Sequence, residues 1–422
     1  MIETYSHIQT YQNGLKKEIT HEWWQREDLR YVGGHLFLAE QNLYSIVHSA
    51  RTPCYVYNSD RIKQNILRLH SALLNESLRH RIFYAIKANR NLPLLSYIRG
   101  LELCGIDCCS PSELLLARQV GFLEEEISYT GTSVSDEDLA IITRHPGIFI
   151  NCDSLSQIRR IGRIAPGREI GIRINPSIGL SANPKLQYAG SKATKFGIYK
   201  NTFLEALQLA AHYDLKVTGI HCHTGWNFLS KQHATGEALL NEICWFVEKL
   251  DNPKYVNLGG GLGVPLIQED CVFNLELWAK LLAKYFASKN LEIFVEPGDY
   301  IVKDAGVLLL QVTTVEKKLD KNFVYVNGGF NINCEPAFYQ NHLEVIPVVT
   351  RKNNIDYSSD LIQVSIAGNI NEPIDMFAED IYLPPVQEGD YLAFLNAGGY
   401  GSSISSNHCM RGNFMEYLIY KK

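Results

Sequence analysis

Between about residue 55 and residue 300 the chain alternates short apolar runs with amphipathic ones, and this alternation restricts its fold more than any other feature. The apolar runs are RIFYAI, GIDCCS, EISYTG, GIFIN, EIGIRIN, KVTGIHCH, KYVNLGG and EIFVEPG. Between several of them lie stretches such as SELLLARQVG, NTFLEALQLAAHYD and ALLNEICWFVEKLD. Their apolar residues recur three and four apart, which gives one buried helical face. Eight strand–helix units over about 245 residues predict a closed parallel (β/α)₈ barrel. An open doubly wound sheet is the alternative, but no GxGxxG follows the first strand.

Beyond residue 300 the texture changes. YIVKDAGVLLLQVTTVEKK, NFVYVNGG, LEVIPVVT, LIQVSIAG, GDYLAFLNAGGYG and MEYLIYKK read as strands with few helices between them, hence a C-terminal antiparallel β domain. YVGGHLFLAE, near the start, reads as strand too. The expected organisation is therefore residues 1–55 as N-terminal strands joining the β domain, 56–300 as the barrel, and 301–422 as the β domain. A chain of 422 residues is long enough for this division.

Charge and composition exclude several classes. A net charge of −5, with no basic cluster interleaved with aromatics, argues against nucleic acid as a partner. The opening MIETYSHIQTYQNGLKKE has no apolar core of a secretory signal, and no apolar run approaches a membrane span. The 10 cysteines are scattered without a CxxC pair, as expected of reduced thiols in the cytoplasm.

The chemistry-bearing residues gather at predicted strand ends, which in a parallel barrel form one rim. They are Lys87, Asp107, Arg173, His221, His223, the glycines 259–261 and Glu296. Lys87 lies in FYAIKAN, a run that otherwise reads as a buried strand, where an unpartnered ammonium is costly. It either has a partner or extends its head to the barrel mouth. NLGGGLG can bring backbone N–H groups up to a phosphate, or can be a plain tight turn. HCHTG places two histidines two apart; they could stack on a ring, begin a metal site that lacks an evident third ligand, or form a structural pair. A lysine, a carboxylate and a phosphate cradle on one rim suit pyridoxal phosphate, which needs an amine, a partner for its ring nitrogen and an anion pocket.

These motifs, together with INCDSLSQ, IRINP, KFGI, NLGGGLGVP, EPAFY, GNINEPIDMF and NAGGYGSSISSN, resemble the fold-type III pyridoxal-phosphate decarboxylases over nearly the whole chain. The diaminopimelate decarboxylase-like branch is the nearest match. The resemblance implies a homodimer of an alanine-racemase-like barrel and a C-terminal β domain, with active sites shared between subunits. It makes Lys87 the lysine that holds the cofactor covalently, and His223 the ring stacked on it. Gly259, Gly260 and Gly261 hold the phosphate, with Tyr400 reaching it from the partner subunit, and Glu296 binds the ring nitrogen. Asp107, Arg173 and Glu113 support the rim. Glu372, also from the partner, contacts the substrate near its amino group. No metal is implied.

Four positions depart from the family pattern. EPGR reads EPGD, putting Asp299 where an arginine is usual, and RPALY reads EPAFY, putting Glu335 where an arginine holds the distal carboxylate of diaminopimelate; Tyr339 closes that motif. A like-charge contact at about 4 Å costs roughly 4 kcal/mol at an effective dielectric of 20. The expectation is altered specificity, with a substrate lacking a distal carboxylate. Asn371 replaces the partner cysteine that helps return a proton to the product, so some loss of fidelity is expected. Trp226 stands where a small phosphate-contacting residue often sits. The leading reading is a decarboxylase of altered specificity acting on a small amino acid, either free or tethered to a carrier protein. The alternatives are diaminopimelate decarboxylase itself, an amino-acid racemase, and a catalytically impaired regulatory homologue.

Overall fold

The computed structural model describes residues 23–230, 233–350 and 361–420. The polar opening stretch, MIETYSHIQTYQNGLKKE, lies outside them. Eight parallel strands close a barrel: β1 (His80–Ala85), β2 (Gly105–Cys108), β3 (Ile127–Tyr129), β4 (Phe149–Cys152), β5 (Glu169–Asn175), β6 (Lys216–His221), β7 (Tyr255–Asn257) and β8 (Glu292–Val295). Closure is by β8 on β1, with Ile293 opposite His80 and Val295 opposite Ile82. All eight coincide with the apolar runs read from the sequence. The runs are nearly continuous in apolar character because these strands are covered on both faces, by the barrel interior and by the outer helices.

The outer helices start where the sequence supplies caps. Asn91, Ser110, Ser135, Ser154 and Asn274 each accept a backbone N–H of the following first turn. Inside the barrel, Phe83, Phe149, Tyr255 and Phe294 fill its lower part, with Tyr255 stacked on Phe294 at 4.5 Å. That aromatic plug leaves the polar residues to the opposite, C-terminal rim.

The second unit is built on the long strand β9 (Gly306–Lys318), which pairs antiparallel with Lys321–Val326, Tyr391–Phe394 and Cys54–Asn58. The expected antiparallel sheet is largely present, but two of its pairings are parallel: Phe323–Tyr325 with Ser365–Ala367, and Cys54–Asn58 with Met415–Ile419. The early strands Leu29–Val32, His35–Leu38 and Gln41–Asn42 form their own three-stranded sheet. It packs through Trp24, Leu29, Leu36 and Leu38 onto Val307, Leu309 and Ile346 of the β domain.

One loop of the β domain is fastened to the barrel. Ala397 N–H bonds to Gly306 O, Gly398 N–H to Lys303 O and Tyr400 N–H to Ala88 O, at 2.9, 3.0 and 2.8 Å. Asn89 Nδ2 adds a bond of 2.9 Å to Gly398 O. Tyr400 is thereby held beside the end of β1.

Candidate active site

Lys87 lies in a turn of 3₁₀ helix, Ile86–Ala88, directly after β1. Its side chain is 42% exposed, so the expected buried ammonium is instead an amine opening into the barrel mouth. The aliphatic stem crosses the apolar run while the head group emerges. Asp107 Oδ2 lies 3.2 Å from Nζ and Cys109 Sγ 3.4 Å. Burial by itself would lower the Lys87 pKa, but Cys109, Asp107, Tyr400 and Glu296 hold it well above the usual lysine value. Burial, with the charge of Glu296, pushes the Asp107 carboxyl up to about 7, against the pull of Lys87. Its Oδ1 is buried without a hydrogen-bond partner. Glu113 accepts the Cys109 N–H at 2.7 Å and so shapes the loop after β2.

Glu296, directly after β8, is 6% exposed. Oε1 accepts from Ser128 Oγ (2.8 Å) and Asn257 Nδ2 (2.6 Å), and Oε2 lies 2.9 Å from His221 Nε2. Burial pushes its carboxyl up, but His221, Lys87 and Ser128 together pull it down to about 2. A carboxylate this firmly ionised and oriented suits a protonated ring nitrogen.

The two histidines separate in role. His221 is buried on Glu296, whereas His223 lies beyond the strand end, with Nδ1 accepting the Gly260 N–H at 3.2 Å and Tyr188 packed on its ring at 4.6 Å. Burial, followed by the nearby charges of Lys87 and Arg173, drives the His223 pKa well below its usual value, so its ring is neutral. Among the described residues no group of three His, Cys, Asp or Glu side chains could hold a metal ion.

Gly259 and Gly261 have φ of +64° and +103°. A Cβ at Gly259 would collide with the Cys222 carbonyl, and one at Gly261 would lie 2.5 Å from Phe228 Cζ. Side chains are barred here, so backbone is what this loop presents to the mouth. Arg173 pairs with Asp153 at 3.4 Å, donates to Thr132 Oγ1 at 3.2 Å and lies over the Phe196 ring at 4.5 Å.

Tyr400 is in reach of Lys87 in its own chain. Its backbone bonds to Ala88, and a Cβ on Gly298 would lie 3.0 Å from its Oη. The expectation that Tyr400 comes from a partner subunit is corrected by this short loop, which is fastened to the same barrel. Asn371 and Glu372 differ: both are exposed, on a loop anchored by Asp375, which accepts the N–H groups of Phe330 and Ile370 at 2.6 Å each. Glu372 lies 3.6 Å from His408.

Asp299 and Glu335 come together around a residue the sequence reading passed over, Lys303. Its Nζ is 2.6 Å from Glu335 Oε1 and 3.7 Å from Asp299 Oδ2, and its side chain is 0% exposed. Trp226 Nε1 donates to Asp299 Oδ2 at 2.6 Å. Tyr339 lies on the same turn as Glu335, with its carbonyl accepting from Asn183 at 2.7 Å. The missed signal was DYIVK, an acid and a lysine one helical turn apart. Ser128 and Asn257 gave no signal, being ordinary polar residues inside apolar strands.

These residues fit pyridoxal phosphate at three points. An amine opens into the mouth, an ionised carboxylate faces it, and a glycine loop free of side chains borders it. The Asp299 position, by contrast, offers no positive charge to a phosphate.

A (β/α)₈ barrel carrying such a site on its rim, with a β domain folded against it, defines the alanine-racemase-like class of pyridoxal-phosphate proteins. Residues 60–303 match the model for "Pyridoxal-dependent decarboxylase, pyridoxal binding domain". The diaminopimelate decarboxylase of Methanothermobacter thermautotrophicus is 33% identical, over 92% of this chain and 91% of that protein. That of Aquifex aeolicus is 30% identical, over 93% and 92%. Among solved structures, the Helicobacter pylori diaminopimelate decarboxylase complexed with L-lysine superposes with a TM-score of 0.81 at 27% identity, covering 90% of this chain and 95% of that one. The chain belongs to the pyridoxal-dependent decarboxylase family, in its diaminopimelate decarboxylase-like branch, and its cofactor is pyridoxal phosphate.

Proposed function

We propose that the chain removes one carboxylate of a small α-amino acid as CO₂. Pyridoxal phosphate, when bound, takes up the electron pair that the departing carboxylate leaves behind. Lys87 would hold its aldehyde carbon, and Glu296 would keep the ring nitrogen protonated. The neutral His223 would cover one ring face, and the 259–261 backbone with Tyr400 would hold the phosphate. The observation that carries the reading is Glu296, fixed by Ser128, Asn257 and His221 opposite the open amine of Lys87.

Diaminopimelate is the substrate that the names of the relatives favour, and the expectation of altered specificity finds no support in them. A second reading, a substrate lacking the distal carboxylate, is favoured by one observation: Asp299 and Glu335 are acids where the resemblance calls for arginines. The exposed Asn371–Glu372 loop is consistent with donation to a partner's site, and supports a homodimer.

Purified protein mixed with pyridoxal phosphate is expected to gain a visible absorbance band that borohydride bleaches, with the label on Lys87. Meso-diaminopimelate should then release CO₂ and yield lysine. A colourless protein that releases no CO₂ from any amino acid would leave the impaired homologue as the reading.

A further inference from the structure

The amine of Lys87 touches two side chains, and a substrate could reach only one of them. Asp107 Oδ2 lies 3.2 Å from Nζ, but this carboxylate is 1% exposed and closed off from the mouth. Cys109 Sγ lies 3.4 Å from Nζ on the loop after β2, and Cys109 is only half-buried. The loop is held in place around it. Glu113 accepts the Cys109 N–H at 2.7 Å, and Ser110 Oγ caps the helix Pro111–Val120 that follows.

A cysteine that merely fills space packs against apolar atoms, as Cys108 and Cys222 do in the barrel core. Cys109 faces an ion pair instead. Burial pushes its thiol up to about 12, so it keeps its proton at neutral pH, while the Lys87 ammonium pulls the other way. Such a thiol is a proton source, and its conjugate thiolate has a cation waiting beside it.

Removal of a carboxylate creates a need for such a source. The C–C bond breaks, CO₂ leaves without the bonding electron pair, and the α-carbon must take one proton. The substrate's amino nitrogen takes the place of the Lys87 nitrogen on the cofactor's aldehyde carbon, which brings the α-carbon to the neighbourhood of Nζ and Cys109. Asn371, the position expected to help return that proton, is an amide with none to give.

We propose that Cys109 is the catalytic acid of this site, giving its S–H proton to the α-carbon from which the carboxylate has left. The electron pair of the broken C–C bond forms the new C–H bond, and the S–H pair stays on sulfur as a thiolate. Lys87, by then released as an ammonium, stabilises that thiolate across the 3.4 Å contact. Solvent entering the open mouth returns a proton to sulfur, which balances the one proton consumed per CO₂ released. This inference rests on the decarboxylase reading. It places the acid on the same chain as the lysine rather than on a partner's loop.

The experiment supplies the holoenzyme with meso-diaminopimelate, lysine, ornithine or arginine, whichever releases CO₂, and counts amine product against carbonyl product. A proton delivered to the cofactor's carbon instead of the substrate's ends the turnover as a carbonyl compound and an aminated cofactor. C109A is expected to raise that fraction, and to lower kcat, by about tenfold or more each. C109S keeps a hydrogen-bonding side chain of similar size but is a far weaker acid, so it should resemble C109A. In the cofactor-free protein, alkylation of Cys109 by iodoacetamide, followed on its own peptide, should be about tenfold slower in K87M than in the wild type, because the thiolate has lost its ammonium. An unchanged product ratio and kcat in C109A, wild-type behaviour in C109S, or equal alkylation rates in K87M and wild type each overturn the proposal. Failure of the decarboxylase reading is seen elsewhere, in a wild-type holoenzyme that releases no CO₂ from any of the four amino acids, and the proposal falls with it.

Discussion

Lys303 Nζ and Glu335 Oε1 stand 2.6 Å apart with 0% and 3% of their side chains exposed, which makes this the lysine the fold truly buries. The pair joins the segment after β8 to the turn that opens EPAFY, so it ties the barrel rim to the β domain. Two charges out of water are tolerated because each is the other's partner and because Asn341 and Asp299 take up their remaining bonding capacity.

Removing one partner should therefore cost far more than removing both. E335A leaves a buried ammonium with only the longer contact to Asp299, and is expected to lower stability by about 3–5 kcal/mol in urea unfolding. K303M combined with E335L should recover much of that loss. Equal destabilisation by the single and the double change would show that the pair does not act as a unit.

Lys87 should behave in the opposite way. Its head group is in the barrel mouth, so K87A is expected to leave the unfolding midpoint nearly unchanged. The borohydride-trapped label and the visible absorbance band should both disappear. A persisting band would assign the covalent link to another side chain.

Glu296 links the site to acid stability. Its folded pKa of about 2 lies below the ordinary glutamate value of 4.5, so the stabilisation it gives is present above about 4.5 and lost as pH falls toward 2. The magnitude is roughly 3 kcal/mol, from 1.36 kcal/mol per pKa unit. E296Q should flatten the stability curve of the cofactor-free protein across that window, read from urea midpoints at successive pH values.

Asp299 should set a pH dependence of stability. Burial pushes its carboxyl up to about 6, with Lys303 pulling it down and Glu335 pushing it up; Tyr84, Tyr188 and Tyr400 are the other titratable groups within its field. Its folded pKa lies above the ordinary aspartate value of 3.8, so the unfolded chain loses this proton first and stability should fall as pH climbs from about 3.8 to about 6, then level off. That fall should be absent in D299N, read from urea midpoints at successive pH values. The same pH slope in D299N as in the wild type would mean that Asp299 carries no such penalty.

Much of this was legible in the chain itself. The eight apolar runs gave all eight barrel strands because strands covered on both faces must be apolar along their length, a constraint each run carries locally. Lys87, Glu296 and the 259–261 glycines stood out because an ammonium, a carboxylate and a side-chain-free loop are conspicuous at the ends of such runs. Sequence spacing says nothing, however, about what meets across the barrel. That Ser128, Asn257 and His221 converge on one carboxylate, that Tyr400 folds back onto its own Ala88, and that Lys303 lies between Asp299 and Glu335 are long-range facts. Strand order and domain docking set them, and both are fixed by burial summed over the whole molecule. The sequence by itself determined which residues could do chemistry; the tertiary structure decided which of their atoms were already paired and which carboxylate oxygens, Asp107 Oδ1 and Asp299 Oδ1, were left without a partner.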